Sequence, residues 1–296
     1  MDDIKNYGSF VKIEPILKGM SDDRKYCVTT TNGTKYCLRI ASAEKFANLN
    51  HQYKILKQVS QIGVPMCQPI DFGKCKDGVY TLYSWIEGED LVTALPKLTE
   101  IEQYKLGLNA GQILRLIHSI SKPDNQNNWE IEYNYKVDKN IKQYRDFEIK
   151  FDGGDNFVRY IEQNRYLLNG RPQSFKHGDY SVRNMMLCND GLIILDFENY
   201  GYSDPWEEFK RTVFSAEISP HFTTGQINGY FNNNVPPEFF KLLAFYIATT
   251  YIPVLPWAVT INKQEVDYML KVLSNITLWF DNMKNPIPTW YLGDFN

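Results

Sequence analysis

Three Asx-Gly pairs constrain this chain more than any other feature. In "KYCVTTTNGTKYCLRI", Asn32-Gly33 separates two runs rich in β-branched and aromatic residues. In "GKCKDGVYTLYSW" and "MMLCNDGLIILDF", Asp77-Gly78 and Asp190-Gly191 do the same. Each is a hairpin signal, because Asn and Asp tolerate and Gly favours the left-handed backbone that tight reversals need. Between the first two hairpins, Ala43 to Ser60 spaces Phe46, Leu49, Tyr53, Leu56 and Lys57 along one helical face. Residues 10–86 are therefore predicted to run strand, strand, strand, helix, strand, strand.

The pattern changes after "WIEGEDL". Thr99 and Glu102 form a capping-box signature, and "TEIEQYKLGLNAGQILRLIHSI" continues at helical spacing. Residues 122–154 are polar and Asn-rich, predicting an irregular or partly helical insertion. "DNFVRYIEQNRYLL" reads as a helix ended by Asn169-Gly170, and helical patterns continue from Pro205 to about Lys284. The expectation is an α/β (α+β) chain of two lobes: a small antiparallel sheet lobe with one helix, residues 1–86, and a larger, mainly helical lobe, residues 87–296.

Bulk properties exclude several functions. A net charge of −3 without any Lys/Arg block predicts no nucleic-acid partner. The start "MDDIKNYGSF" lacks the apolar run of a signal peptide. Leu242 to Val259 approaches membrane-span length but carries Pro253 and Pro256, so a buried, broken helix is expected, with no membrane partner. Five cysteines without a CxxC predict reduced thiols and a cytoplasmic location, and four isolated histidines show no metal spacing.

The candidate chemistry lies in "KHGDYSVRNMMLCNDGLIILDFENYGYSDP", Lys176 to Pro205. Asp179 and Asn184 are five apart in a loop entering a strand, and Asp196 follows the apolar run "LIIL". A hairpin turning at Asp190-Gly191 makes Asn184 and Asp196 neighbours at its open end. One carboxylate and one carboxamide oxygen offer the hard, all-oxygen donors that Mg²⁺ prefers, leaving positions for water and phosphate. Turn capping explains any one of these residues, but not the three together. A carboxylate-pair hydrolase using Asp179 and Asp196 is a rival that gives Asn184 no task.

"HGDYSVRN…LDFE" resembles the catalytic and metal loops of the aminoglycoside phosphotransferase and choline kinase group, the protein-kinase-like small-molecule kinases. The resemblance implies a two-lobed protein-kinase-like fold. It implies Asp179 as the base for a substrate hydroxyl, Asn184 and Asp196 as Mg²⁺ ligands, and ATP or GTP as phosphoryl donor. "LKGMSDDRKYCV" resembles the family's phosphate-covering loop, which implies phosphate contacts from Gly19, Met20 and Ser21. "LYSWIEGEDL" resembles the lobe connector, where Ser84, Trp85 and Ile86 would face the purine.

One departure stands out. The family's strand lysine, which pairs with a helix glutamate, is matched here by Arg39, and the helix position by Gln52. Arg39 is expected to hold phosphates in its own bidentate geometry. A nucleotide-binding pseudokinase is the reading this swap would support. His177 is expected to brace the loop, and "YGYSDPWEEF" to supply a helix cap at Asp204 with an acidic first turn. The acceptor is expected to be a small hydroxylated molecule. An aminoglycoside-type antibiotic is implied by the resemblance, with choline, a sugar or an amino alcohol as the alternative. Residues 206–296 carry eight acidic and six basic side chains, a weak trap for a polycation, and eighteen aromatics, including Trp257, Trp279, Trp290 and Tyr291.

Overall fold

In the computed structural model the described residues are 3–5, 7–17 and 22–293. In chain order the first elements are β1 (Phe10–Pro15), β2 (Arg24–Thr30), β3 (Lys35–Ala41), α1 (Phe46–Gln61), β4 (Pro69–Cys75), β5 (Gly78–Ser84) and β6 (Glu89–Asp90). There follow α2 (Leu91–Ala94), α3 (Glu100–Ile117), α4 (Trp129–Asp146), α5 (Gly154–Asn164), β7 (Ser174–Lys176), β8 (Met185–Cys188), β9 (Gly191–Ile194) and β10 (Gly201–Ser203). The chain then turns helical, with α6 (Thr212–Ile218), α7 (Pro220–Phe231), α8 (Pro237–Tyr251), α9 (Val254–Ile261) and α10 (Lys263–Trp279).

The chain divides into two compact units, Met1–Asp90 with Met185–Glu198, and Leu91–Asn184 with Asn199–Asn296. The expected boundary at 86/87 therefore moves to 90/91. The segment 185–198, expected in the helical part, belongs instead with the N-terminal strands. The cause is hydrogen bonding: β8 pairs with β6, β9 pairs with β8, and the Ile194 N–H donates to the Pro65 carbonyl at 2.8 Å.

The N-terminal unit carries an antiparallel sheet of order β1-β2-β3-β5-β4. Strand alternation sends Leu38 and Ile40 of β3 into a core with Val28, Tyr80 and Leu82, and leaves Cys37 and Arg39 on the opposite face. Helix α1 packs Phe46 and Tyr53 against Phe72 of β4. The hairpins refine the turn reading. In the second and third, the loop residues are Lys76-Asp77 and Asn189-Asp190, and the glycine opens the returning strand opposite Cys75 or Cys188. Gly78 has φ +131°, and a Cβ there would meet the Ala41 carbonyl oxygen at 2.0 Å, so only glycine fits.

In the second unit, α3 starts with the predicted box: the Thr99 N–H donates to Glu102 Oε2 at 2.8 Å and the Glu102 N–H to Thr99 Oγ1 at 3.3 Å. Helices α3 and α7 cross at glycines on both sides, Gly107 and Gly111 against Gly225 and Gly229, so that backbone meets backbone. The polar stretch expected to be irregular or partly helical contains the 18-residue α4, N-capped by Asn128. It buries Trp129, Tyr133, Val137, Asn140, Ile141 and Tyr144 on one face. The apolar run Leu242–Val259 is the broken pair α8 and α9, bent by 41°. Among the described residues no single helix is long and apolar enough to cross a membrane.

Candidate active site

In the second unit the site is built on the loop between β7 and β8. β7 pairs with β10 through Phe175 and Tyr202, which fixes where the loop begins. Gly178 sits at φ +93°, and a Cβ there would lie 1.9 Å from the Asn199 carbonyl oxygen. Its N–H donates to both Glu208 carboxylate oxygens, at 2.9 and 3.1 Å. His177 is fully buried, and its Nδ1 accepts the Asp179 N–H at 3.2 Å. It thus braces the loop, as expected.

Asp179 and Asn184 come together. Asn184 Nδ2 donates to the Asp179 backbone oxygen at 2.9 Å and to Oδ2 at 3.0 Å. Arg211 Nε lies 3.0 Å from Asp179 Oδ1 as an ion pair without hydrogen-bond geometry, whereas Oδ2 accepts from Asn184. With its amide nitrogen committed, Asn184 has a carbonyl oxygen, a hard donor of the kind Mg²⁺ takes. In the N-terminal unit Asp196 is exposed and stands at φ +62°, which an aspartate tolerates better than most residues. Among the described residues no cluster of three His, Cys, Asp or Glu could cage a metal ion unaided. The Asn184 carbonyl oxygen is thus the donor the second unit offers to an ion that completes its shell with phosphate and water.

The Asp204 cap is present, accepting the Trp206 N–H at 2.9 Å, but the acidic first turn is not a solvated one. Glu207 and Glu208 are both buried. Lys210, Lys176 at 3.2 Å and Lys136 at 3.6 Å surround Glu207, and Arg171 grips Asp204 at 2.6 and 3.0 Å. Burial would raise the Glu208 pKa, but the surrounding His118, His177 and Lys176 hold it down to about 2. His118 Nε2 lies 3.9 Å from Glu208, beyond hydrogen-bond range. A carboxyl with a folded-state pKa below its ordinary 4.5 stabilises the fold above that value. That stability drains away as pH falls toward 2, where the unfolded chain has already taken the proton. Glu208→Gln should lower the melting temperature near neutral pH by about 5–10 °C and flatten its fall between pH 4.5 and 2. Thermal scans across that range test this, and an unchanged acid limb would remove the assignment.

In the N-terminal unit a cavity of about 230 Å³ is lined by Arg39, Gln52, Cys67, Tyr83, Asp196 and Glu198, among others. Arg39 Nη2 donates to Asp23 Oδ2 at 3.0 Å and also to Glu198 Oε1. Gln52, at the position aligned with a glutamate, makes only a long 3.5 Å bond from Nε2 to the Phe197 carbonyl. The counter-ions of Arg39 thus come from the loop before β2 and the turn after β9, not from α1. Burial pushes the Cys67 thiol up to about 12, so this cavity offers no thiolate nucleophile there. All five cysteines are free, as expected of reduced thiols.

Of the connector residues, Ser84 ends β5 with its N–H donating to the Gln68 carbonyl at 2.9 Å and its hydroxyl accepting the Gln68 N–H at 2.8 Å. Trp85 and Ile86 follow, half-buried. Gly19, Met20 and Ser21 lie outside the described residues. Of the aromatics, Trp290 is buried whereas Trp257 is 49% exposed. Sequence reasoning missed Asp23, Lys45, Glu208 and Arg211 as partners of the site. Glu198 stood in the quoted "LDFE" without a role, and nothing in the sequence marked Arg211.

An antiparallel-sheet unit and a helical unit carrying an Asp-x₄-Asn loop define a kinase-like phosphotransferase. The phosphotransferase enzyme family model (APH) matches residues 12–240, and the chain belongs to this family. Three solved structures share the fold. The GDP complex of aminoglycoside 2'-phosphotransferase-IIIa superposes with TM-score 0.70 at 14% identity, covering 93% of this chain and 95% of that one. The ternary complex of a thermostable aminoglycoside phosphotransferase APH(4)-Ia mutant with ADP and hygromycin B gives 0.65 at 15%, covering 92% and 95%. The amicoumacin kinase hAmiN in complex with AMP-PNP, Ca²⁺ and Ami gives 0.61 at 14%, covering 93% and 90%. No match to a curated protein was found.

Proposed function

We propose that this phosphotransferase moves the γ-phosphoryl group of ATP or GTP to a hydroxyl of a small molecule, with Asp179 as base. The observation that carries the reading is the Asp179–Asn184 geometry: a carboxylate held by Asn184 on one oxygen and by Arg211 on the other. Each oxygen retains a lone pair, so Asp179 can accept the proton of an approaching hydroxyl. The hydroxyl oxygen forms a bond to the γ-phosphorus, the bond to the β–γ bridging oxygen breaks, and the nucleoside diphosphate leaves. Asn184 and Asp196 are the residues that would hold Mg²⁺, which when bound neutralises phosphate charge. Arg39 is assigned to the phosphates, and the stretch Ser84 to Ile86 to the purine. Because the N–H and hydroxyl of Ser84 are spent on Gln68, Trp85 and Ile86 are better placed for the base contacts. The Gly19–Ser21 turn keeps its assignment to the phosphates from sequence likeness alone.

For the acceptor, the fold neighbours bound to hygromycin B and amicoumacin support an antibiotic. One observation favours a second reading. Arg211 lies 3.0 Å from Asp179 Oδ1 and puts one permanent cation beside the base. Like charges repel a polyamine there, which favours a less cationic acceptor such as a sugar.

Both readings are tested by one experiment. Turnover of ATP and GTP with and without Mg²⁺ is measured against aminoglycosides, other hydroxylated antibiotics, choline and simple sugars. Stimulation by one acceptor names the class. Nucleotide binding without turnover on any acceptor would support the pseudokinase instead.

A further inference from the structure

In the N-terminal unit two cations from different elements close on one carboxylate. Arg39 Nη2, from β3, donates to Asp23 Oδ2 at 3.0 Å, and Lys45 Nζ donates to Asp23 Oδ1 at 2.9 Å. Lys45 ends the short 3₁₀ turn Ala43–Lys45 that leads into α1. The Asp23 side chain is 8% exposed, whereas Arg39 and Lys45 are 22% and 44% exposed. One cation on each of two neighbouring anionic oxygens is how a guanidinium and an ammonium hold carboxylate and phosphate alike. Arg39 also keeps Glu198 as a partner and lines the cavity that Asp196 lines.

We propose that Arg39 and Lys45 form a phosphate subsite for the nucleotide, and that Asp23 is an internal occupant which the phosphate displaces. The proposal rests on the kinase reading and deepens it. Lys45 then supplies, from the start of α1, the ammonium that β3 lacks at Arg39. Glu198 retains Arg39 when Asp23 leaves, so the side chain does not have to be reordered on binding. A phosphate carries more negative charge than a carboxylate and wins the exchange, but each binding event first has to break the pairs to Asp23. That cost is built into the free protein. The lowered pKa of Asp23, caused by Lys45 and Arg39 against the opposing effect of burial, agrees with a tightly held occupant.

The test is titration calorimetry of MgADP and MgGDP into the full chain. Asp23→Asn removes the competitor's charge at constant shape. It should tighten binding about tenfold, the scale of one charge-assisted hydrogen bond made neutral. Lys45→Gln should weaken binding, and by a larger factor in the Asp23→Asn background than in the wild type. In the wild type the same change also loosens the occupant, whereas a merely structural brace would produce no such dependence on background. Thermal unfolding of each variant separates lost affinity from lost fold, and the exposed Lys45 site tolerates substitution even if Asp23 does not. Binding that is no tighter in Asp23→Asn, or unchanged by Lys45→Gln in that background, overturns the subsite while leaving the kinase reading standing. Absence of binding by the wild type and every variant removes both.

Discussion

Replacing Asp179 with asparagine should lower turnover about a thousandfold, within the range for loss of a general base, while MgADP affinity changes less than about twofold. The asparagine keeps the shape, and its one carbonyl oxygen can face either Asn184 or Arg211, which flank Asp179 at 3.0 Å on each side. What it loses is the capacity to take a proton from the acceptor. Steady-state turnover with the stimulating acceptor, together with calorimetry, separates the two quantities. Equal losses in binding and turnover would mean that the loop had moved, and full activity would end the base assignment.

The second large effect concerns stability. Gly229→Ala should destabilise the protein by about 3 kcal/mol, the upper part of the usual cost of forcing volume into a packed core. A Cβ at Gly229 would stand 2.1 Å from the Leu108 carbonyl oxygen, and the obstacle is backbone of α3 rather than a side chain that can swing away. Gly107, Gly111 and Gly225 have the same problem at 2.1 to 2.3 Å, so the two helices cannot separate at one position without opening the others. Gly170→Ala is a control for space, because nothing lies within 4 Å of the added atom, although its φ of +65° carries a smaller strain of its own. Denaturant unfolding of both variants gives the comparison. A loss for Gly229→Ala no greater than for Gly170→Ala would refute the close crossing.

What the sequence made legible was local. The order of β1 to β5 around α1 followed from turn chemistry and side-chain period, both of which act within a few residues. The Thr99–Glu102 box was readable for the same reason. For α4 only partial helicity was legible, because its buried face is made of Trp, Tyr and Asn among charged neighbours. Asn140 is buried only by virtue of donating to the Thr249 carbonyl, a partner more than a hundred residues away. The burial of Glu207 and Glu208 within the expected acidic first turn was not legible, because their lysines and histidines are equally remote in sequence.

The site divides along the same line. Asp179 and Asn184, five apart, were readable, as was the anomaly at Arg39. Its remedy was not, since Asp23 and Glu198 are joined to it only by the sheet and by the turn after β9. Glycine requirements behaved similarly. Gly33 and Gly78 were recognised as turn residues, but Gly178 and the four glycines of the α3–α7 crossing depend on backbone that folding brings near.

The N-terminal unit is completed by residues 185–198, and this has a consequence for synthesis. At a translation rate of about 5–20 residues per second, β6 waits about 5–20 s after Asp90 is made before its partner β8 and the returning β9 have both emerged. During that interval the nascent chain carries an unfinished strand at Glu89–Asp90, whose two acidic side chains discourage pairing with a neighbouring polysome's product. Early termination anywhere before residue 198 would leave both units incomplete, so no unit is finished before Glu198 is made.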